Sequence, residues 1–443
     1  LSLWFKRARL GEATASSHCL YMNYLDGNNR SYAELEGGST GDTIYFYDKY
    51  GSSRVDKRTT RYFKDTNGWY HFLIKCDTTQ ATEAHRWRLY INGIEETSFA
   101  GTGTMPAQNA SMGWQGNSAS NEHNFGMKES SNSPFEGCMS HIHYCDGYAY
   151  DASTFGETDS TTGEWKIKVN PTFTLGTNGF TILKDGNTIT DQSANSNNFT
   201  VGGGTLTKTE DNPSNVFATL NPLQIPMPSE TPTFENGNTR VYGNSSHWLR
   251  SYGNLGANSG KWWYELYIGT ADASGRIGWD SIDKINDGDD NYHSGLTIQQ
   301  TTGTVRGGIV GTAAYSPNAV QLPADGGGNA TFAQGDYLGM GLDLDNNTIT
   351  VYKNGSALAT NWSYASYNTS IKSSTYGTFV SPSVNWYSGS GNQNIYDFNF
   401  GNGKFGSSAQ LTGTTYTDSN GQGVFKYQPP TNYLAWCTKN LNV

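Results

Sequence analysis

The sequence predicts an all-β chain made of two antiparallel β-sandwich domains joined by a small β module and a Pro-rich linker. Three observations carry that prediction. Of 443 residues, 53 are Gly and 28 Tyr, aromatic residues make up 13% and charged residues only 15%, an alphabet poor in the Ala, Glu, Lys and Leu that long helices need. Short apolar runs alternate with Asn, Ser, Thr and Gly, the chemistry of turns between many short strands. Residues 335–355, GDYLGMGLDLDNNTITVYKNG, spell out two strands and two turns. There Leu338, Met340 and Leu342 alternate with Tyr337, Gly339 and Gly341, and Ile349, Val351 and Tyr352 run into Asn354-Gly355. Both residues of an Asn-Gly pair accept positive φ, which makes it the strongest short-range hairpin signal. Leu338, Met340 and Leu342 are therefore expected to point into one core, with Asn354-Gly355 an exposed tight turn.

Taken in order, residues 1–157 read as a first sandwich. Its strands are Leu3 to Phe5, Cys19 to Tyr24, Tyr32 to Leu35, Thr43 to Tyr47, Arg61 to Lys64, Trp69 to Asp77, Arg86 to Asn92 and Gly137 to Asp146. Trp87-Arg-Leu-Tyr-Ile-Asn-Gly93 is a weaker copy of the 335–355 pattern. In the last strand, alternation puts Met139, His141, His143 and Cys145 on one face and Cys138, Ser140, Ile142 and Tyr144 on the other. Residues 158–232 change texture. Trp165 to Val169 and Phe180 to Leu183 are strand-like, but they lie among Gly- and Asn-rich stretches, and Ile225-Pro-Met-Pro-Ser-Glu-Thr-Pro232 reads as an extended connector. Residues 233–400 supply a second sandwich with strands such as Lys261 to Ile268, Arg276 to Trp279, Asp336 to Leu342, Thr348 to Lys353 and Tyr396 to Phe400. Residues 401–443 form an extension expected to pack on that second sandwich.

Charge and cysteine usage exclude several classes. With a formal net charge of −10 and no basic run longer than Lys6-Arg-Ala-Arg9, nucleic acid is not an expected partner. No apolar run reaches the ~20 residues needed to span a bilayer, so no membrane insertion is expected. The five cysteines have no C-x-x-C spacing, and buried free thiols are favoured over a Cys138–Cys145 pair. The sequence opens within a strand and without Met, which suggests that a preceding region exists.

Several stretches resemble known families. Trp69 to Thr79, Leu89-Tyr-Ile-Asn-Gly93, Glu136 to Gly147 and Ser153-Thr-Phe-Gly156 resemble, in that order, the concanavalin-A-like (laminin-G-like) lectin/glucanase domain found in virion proteins of marine bacteriophages. Gly260-Lys-Trp-Trp-Tyr-Glu265, Ile277-Gly-Trp279, Gly335-Asp336, Gly339 to Asp343 and Asn354-Gly355 resemble the SPRY domain, a bent β-sandwich that generally binds proteins or peptides through its loops. The closing Pro429-Pro430, Leu434-Ala-Trp-Cys437 and Asn440-Leu441 resemble the end of phage structural proteins. These resemblances imply a virion protein, either a fibre or a tail-associated chain on the outside of a phage particle. Its implied partners are a host-surface glycan or protein and other virion proteins. A homo-oligomer, a trimer among the options, is implied by fibre architecture, although no coiled-coil heptads are present.

Chemistry-bearing residues are sparse. Glu34-Leu-Glu36 is the only same-face acid pair in a strand, and a solvated strand face is favoured over a glycosidase pair. No Gly-x-Ser-x-Gly elbow precedes a helix, so no enzyme is expected. His141 and His143 lack a third ligand nearby and are expected to be packed or interface histidines. The acidic loop Asp287-Gly-Asp-Asp-Asn-Tyr-His293 and the pair Asp343 and Asp345 offer oxygens of the kind Ca²⁺ takes. Neither has EF-hand spacing, so no cofactor is assigned. Loop aromatics are the favoured ligand contacts, because exposed rings stack on sugar faces without any titratable pair. On sequence context these are Trp114, Trp248, Tyr252, Trp362, Trp386 and Tyr387. The expected function is non-enzymatic adhesion to a host-surface glycan. The alternatives are a purely structural capsid or tail subunit and a glucanase-like enzyme.

Overall fold

The computed structural model describes residues 1–10, 17–38, 41–101, 103–115, 122–128, 133–184, 186, 188–203, 206–224, 231–245, 247–270, 275–281, 295–307, 320–364, 378–387, 393–406 and 411–441. The chain divides into two compact units, Leu1–Leu206 and Thr207–Val443. The division falls within 158–232, so that residues up to Leu206 lie in the first unit and those from Thr207 in the second.

The first unit holds two six-stranded sheets. Sheet A runs Phe180–Ile182, Gly137–Tyr144, Ser2–Arg7, Tyr70–Cys76, Trp87–Ile91, Ile94–Glu96, and sheet B runs Glu122–Phe125, His18–Asp26, Asn29–Leu35, Thr43–Tyr50, Ser53–Tyr62, Phe99–Ala100. Alternate residues of both sheets, among them Leu3, Phe5, Phe72 and Ile74 from A and Ala33, Leu35, Ile44 and Phe46 from B, are buried together in one core. Burying each such side chain stabilises the fold by roughly 1.5–3 kcal/mol. The outer face of sheet A is closed by residues 152–173, whose Ala152, Phe155, Trp165 and Phe173 pack on Leu73 and Tyr90.

In the second unit, sheet C orders Thr233–Glu235, Arg240–Gly243, Asn394–Asn399, Lys261–Thr270, Tyr337–Asp343, Thr348–Lys353 and Ser356–Ser363, and Leu434–Ala435 pairs in parallel with Lys261–Thr270. Sheet D orders Leu249–Tyr252, Val380–Trp386, Arg276–Ser281, Leu296–Gln299, Thr304–Gly307 and Val320–Gln321. Leu338, Met340 and Leu342 are fully buried in the core of this unit. Asn354 (φ 53°) and Gly355 (φ 84°) form the exposed turn that the sequence predicts. The outer face of sheet C carries Trp263, over which Phe217, Phe425, Tyr433, Ala435 and Cys437 close a second, smaller core. Gly339 and Gly341 lie on this outer face because a Cβ at either would run into the Trp263 or Tyr433 ring.

Candidate functional site

The outer face of sheet B differs from every face described so far. Asn29–Leu35 and Thr43–Tyr50 pair antiparallel with Arg30 opposite Lys49, Tyr32 opposite Tyr47 and Glu34 opposite Tyr45. Strand alternation sends Ser31, Ala33, Ile44, Phe46 and Asp48 inward and leaves these six pointing outward. The neighbouring strands extend each rung, with Met22 opposite Tyr32 on one side and Asp56 and Arg58 opposite Tyr47 and Tyr45 on the other.

The result is a cluster of tyrosines. Tyr32 and Tyr47 stack with ring centroids 5.1 Å apart and planes 20° from parallel, and Tyr45 lies 6.0 Å from Tyr32 and 6.5 Å from Tyr47. Tyr47 is 8% exposed, whereas Tyr32 and Tyr45 are only half-buried. A cation stands over each ring: Lys128 Nζ 4.0 Å from the Tyr32 centroid, the Arg58 guanidinium 5.3 Å from Tyr45, and that of Arg30 5.5 Å from Tyr47. Such contacts contribute about 0.5–2 kcal/mol each, depending on desolvation.

Glu34 and Glu36 are not the solvated strand face expected from sequence. They are 5% and 9% exposed, and each holds one of those cations: Glu34 Oε2 lies 2.7 Å from Lys128 Nζ, and Glu36 accepts from Arg58 Nε and, at 2.7 Å, from Arg58 Nη2. A buried carboxylate needs such a partner, which is the physical reason for the difference. Burial pushes the Glu34 carboxyl up, opposed by Lys128. The hydrogen bond to Glu36 raises Arg58. Burial, with Tyr45 and Glu34 adding to it, holds the Tyr32 phenol well above its usual range. The face thus presents the exposed edges of Tyr32 and Tyr45 among fixed charged donors and acceptors, a combination that can pack on the C–H groups of a pyranose and hydrogen-bond its hydroxyls.

The six aromatics singled out in the sequence separate into groups. Trp114 sits in a 3-10 turn, Gly113–Gln115, and is buried against Phe46 with ring centroids 6.0 Å apart. Tyr252 and Trp386 are buried in the strands of sheet D at 2% and 0% exposure, Trp386 Nε1 donating to the Gly243 carbonyl at 3.1 Å. These three are core residues rather than loop contacts, since burying so large an apolar ring outweighs the turn-forming character of its neighbours. Trp362 is half-buried on Ser356–Ser363 against the core. Trp248 and Tyr387 are brought together, ring centroids 6.0 Å apart, with the Arg276 guanidinium 3.9 Å over Trp248 and Tyr387 38% exposed. The tyrosines of sheet B were missed because each sits in an ordinary strand pattern. Their one signal is Tyr45-Phe-Tyr47 facing Tyr32 in register.

Other candidates have structural duties. His141 adopts φ 48° at a bulge where the pairing with Ser2–Arg7 shifts register. The bulge breaks the alternation expected for this strand, so that Met139, Ile142 and Tyr144 all turn to the core. His143 is buried, stacked on Phe155 with centroids 5.4 Å apart, and its Nδ1 lies 3.0 Å from Thr181 Oγ1. Burial pushes His143 well down and His71 down to about 3. Among the described residues no group of three or more His, Cys, Asp or Glu is placed to hold a metal. Asp343 accepts from Lys261 Nζ at 2.9 Å and from the Asn346 backbone and side chain, and Asp345 accepts from the Gly260 N–H. The 287–293 loop lies outside the described residues. Cys138 and Cys145 are free thiols. A cavity of about 240 Å³ lined by Val55, Met105, Met112 and Asp48 lies at the end of sheet B. Its buried Asp48 carboxylate already accepts from Ser31 Oγ and, at 2.8 Å, the Gly113 N–H, so it fastens the turn that carries Trp114.

No protein-family model and no curated protein matches the chain. Among solved structures, the SPRY domain of human HERC1 aligns over 40% of this chain and 96% of its own length, at 16% identity and a TM-score of 0.28. The PSpry domain of TRIM65 aligns over 40% of this chain and 87% of its own, at 12% identity and a TM-score of 0.26.

Proposed function

We propose that this chain is a non-enzymatic adhesion protein that holds a saccharide on the tyrosine face of sheet B. One observation carries the reading: Tyr32, Tyr45 and Tyr47 gather on the outside of a sheet, two of them half-exposed, among charges fixed by ion pairs. The setting on the exterior of a phage particle, as a fibre or tail-associated subunit, rests on the sequence resemblances set out above. A particle displaying many copies turns weak individual sites into firm attachment, because each further contact forms at high effective concentration.

The test is binding of the full chain to a panel of immobilised polysaccharides, alongside the double variant Tyr32→Ala/Tyr45→Ala. Ring stacking is worth about 0.5–1.5 kcal/mol per ring, so the variant should bind about tenfold or more weakly while keeping a cooperative melt. Binding to no saccharide, together with tight binding to purified virion proteins, would replace this reading with that of a structural subunit. Release of reducing ends from a polysaccharide would replace it with that of an enzyme.

A further inference from the structure

Within the tyrosine face, one rung carries charge of a single sign. Arg30 and Lys49 stand directly opposite each other across the antiparallel pair, where Cβ atoms lie about 4.5–5.5 Å apart and like charges repel. Among the described residues neither has a carboxylate at ion-pair distance. Lys49 Nζ donates to Asn28 Oδ1 at 2.7 Å and to the Gly27 carbonyl at 3.5 Å. Arg30 lies over Tyr47 with its Nε buried and without a hydrogen-bond acceptor, a costly state for a donor. Asp26, which feels Lys49 electrostatically, uses its oxygens on the Asn28 N–H and on Asn29 Nδ2. Arg58 and Lys128 on the same face are, by contrast, each matched by a glutamate.

Two opposed cations, one with an idle donor, beside stacked aromatic rings call for an anion attached to something flat. We infer that the saccharide held on this face is acidic: an oxyanion carried on a pyranose, either carboxylate or sulfate, bridges Arg30 and Lys49 while the sugar packs against the exposed edges of Tyr32 and Tyr45. The planar guanidinium matches an oxyanion with two parallel donors, and the lysine adds a point charge. This inference rests on the saccharide reading above and narrows its substrate class. The chain's net charge of −10 repels polyanions as a whole, so any preference for an acidic polymer must come from a local site.

The experiment measures binding of the full chain to polygalacturonate, dextran sulfate and neutral dextran at low and physiological salt, with Arg30→Gln, Lys49→Gln and the distant surface control Lys166→Gln. At least one acidic polymer should bind about tenfold or more tightly than dextran, and whichever wins identifies the oxyanion. Arg30→Gln and Lys49→Gln should each remove most of that advantage while keeping a cooperative melt, and Lys166→Gln should leave the preference unchanged. Equal binding of neutral and acidic polymers, or an acidic preference untouched by Arg30→Gln and Lys49→Gln, overturns the acidic site and leaves saccharide binding standing. Absence of binding to any polysaccharide overturns both.

Discussion

The outer faces of sheets B and C begin with the same material and end differently. Both carry aromatic rings on alternate positions of central strands, Tyr32, Tyr45 and Tyr47 on one and Trp263, Tyr267 and Tyr352 on the other. On sheet C the rungs beside Trp263 are filled by Gly339 and Gly341, which leave room for the indole to lie flat and for the C-terminal segment to close over it. Trp263 ends fully buried, and Glu265 beside it accepts the Lys426 and Tyr427 backbone N–H groups at 2.8 Å each and Asn399 Nδ2 at 3.0 Å. On sheet B the corresponding spaces hold Arg30, Glu34, Lys49 and Arg58, and Tyr32 and Tyr45 stay half-buried. An aromatic sheet face is thus not in itself a binding surface. Its neighbours decide: glycine invites the chain to cover the ring, whereas the paired charges on sheet B leave Tyr32 and Tyr45 half-exposed.

That contrast breaks most readily on sheet C. Trp263→Ala should destabilise the second unit by roughly 3–5 kcal/mol, and Gly339→Val, which overpacks the same spot, by roughly 1–3 kcal/mol or more. Both should leave polysaccharide binding intact. Denaturant unfolding followed by tryptophan fluorescence measures the first effect, and an unchanged midpoint for both variants would show that the tail does not depend on Trp263.

The tail latch should also respond to pH. Burial pushes the Glu265 carboxyl up to about 7 despite the three donors it accepts from. A group raised on folding contributes stability that is full below its unfolded value of about 4.5 and is lost as pH rises through 7. Proteolysis of the 425–437 segment should therefore speed up between pH 5 and pH 7.5, and Glu265→Gln should flatten that dependence. A segment that becomes more protected with rising pH would contradict the assignment.

On sheet B the expected effect is smaller in stability and larger in binding. Tyr45→Ala should weaken saccharide binding several-fold while costing roughly 1 kcal/mol of stability, the range of cross-strand pair energies. The two hairpins affect stability alone. Asn92 and Asn354 have φ of 50° and 53°, and the side-chain carbonyl of each accepts a backbone N–H, from His71 and Tyr337 respectively. Asn354→Ala and Asn92→Ala should each cost roughly 1–2 kcal/mol for placing alanine in the left-handed region. Equal shifts in melting would mark the two turns as equivalent devices.

Local pattern made part of this legible in sequence. Leu338, Met340 and Leu342, and the turn at Asn354-Gly355, follow from alternation and from the tolerance of Asn and Gly for positive φ. The strand Ser53–Tyr62, SRVDKRTTRY, is legible in sequence only at its far end, within Arg61 to Lys64, because Val55 is the one strongly apolar residue in it. It is held by pairing with Thr43–Tyr50 rather than by an apolar stripe. The tyrosine face was invisible for a related reason: Tyr32 meets Tyr47 only through strand register, and Glu34 and Glu36 find Lys128 and Arg58 only through the fold. Glycine beside Trp114 signals the turn found at Gly113–Gln115, and Asn385 beside Trp386 lies within a strand, but neither neighbour carries information on which way a large ring points.

Hydroxyl-radical footprinting of the full chain, with and without a bound polysaccharide, compares the two aromatic surfaces in a single measurement. Loss of oxidation at Tyr32 and Tyr45, with Trp248 and Tyr387 unchanged, is the result expected if sheet B is the binding face. Protection of Trp248 and Tyr387 with Tyr32 and Tyr45 still oxidised would contradict it.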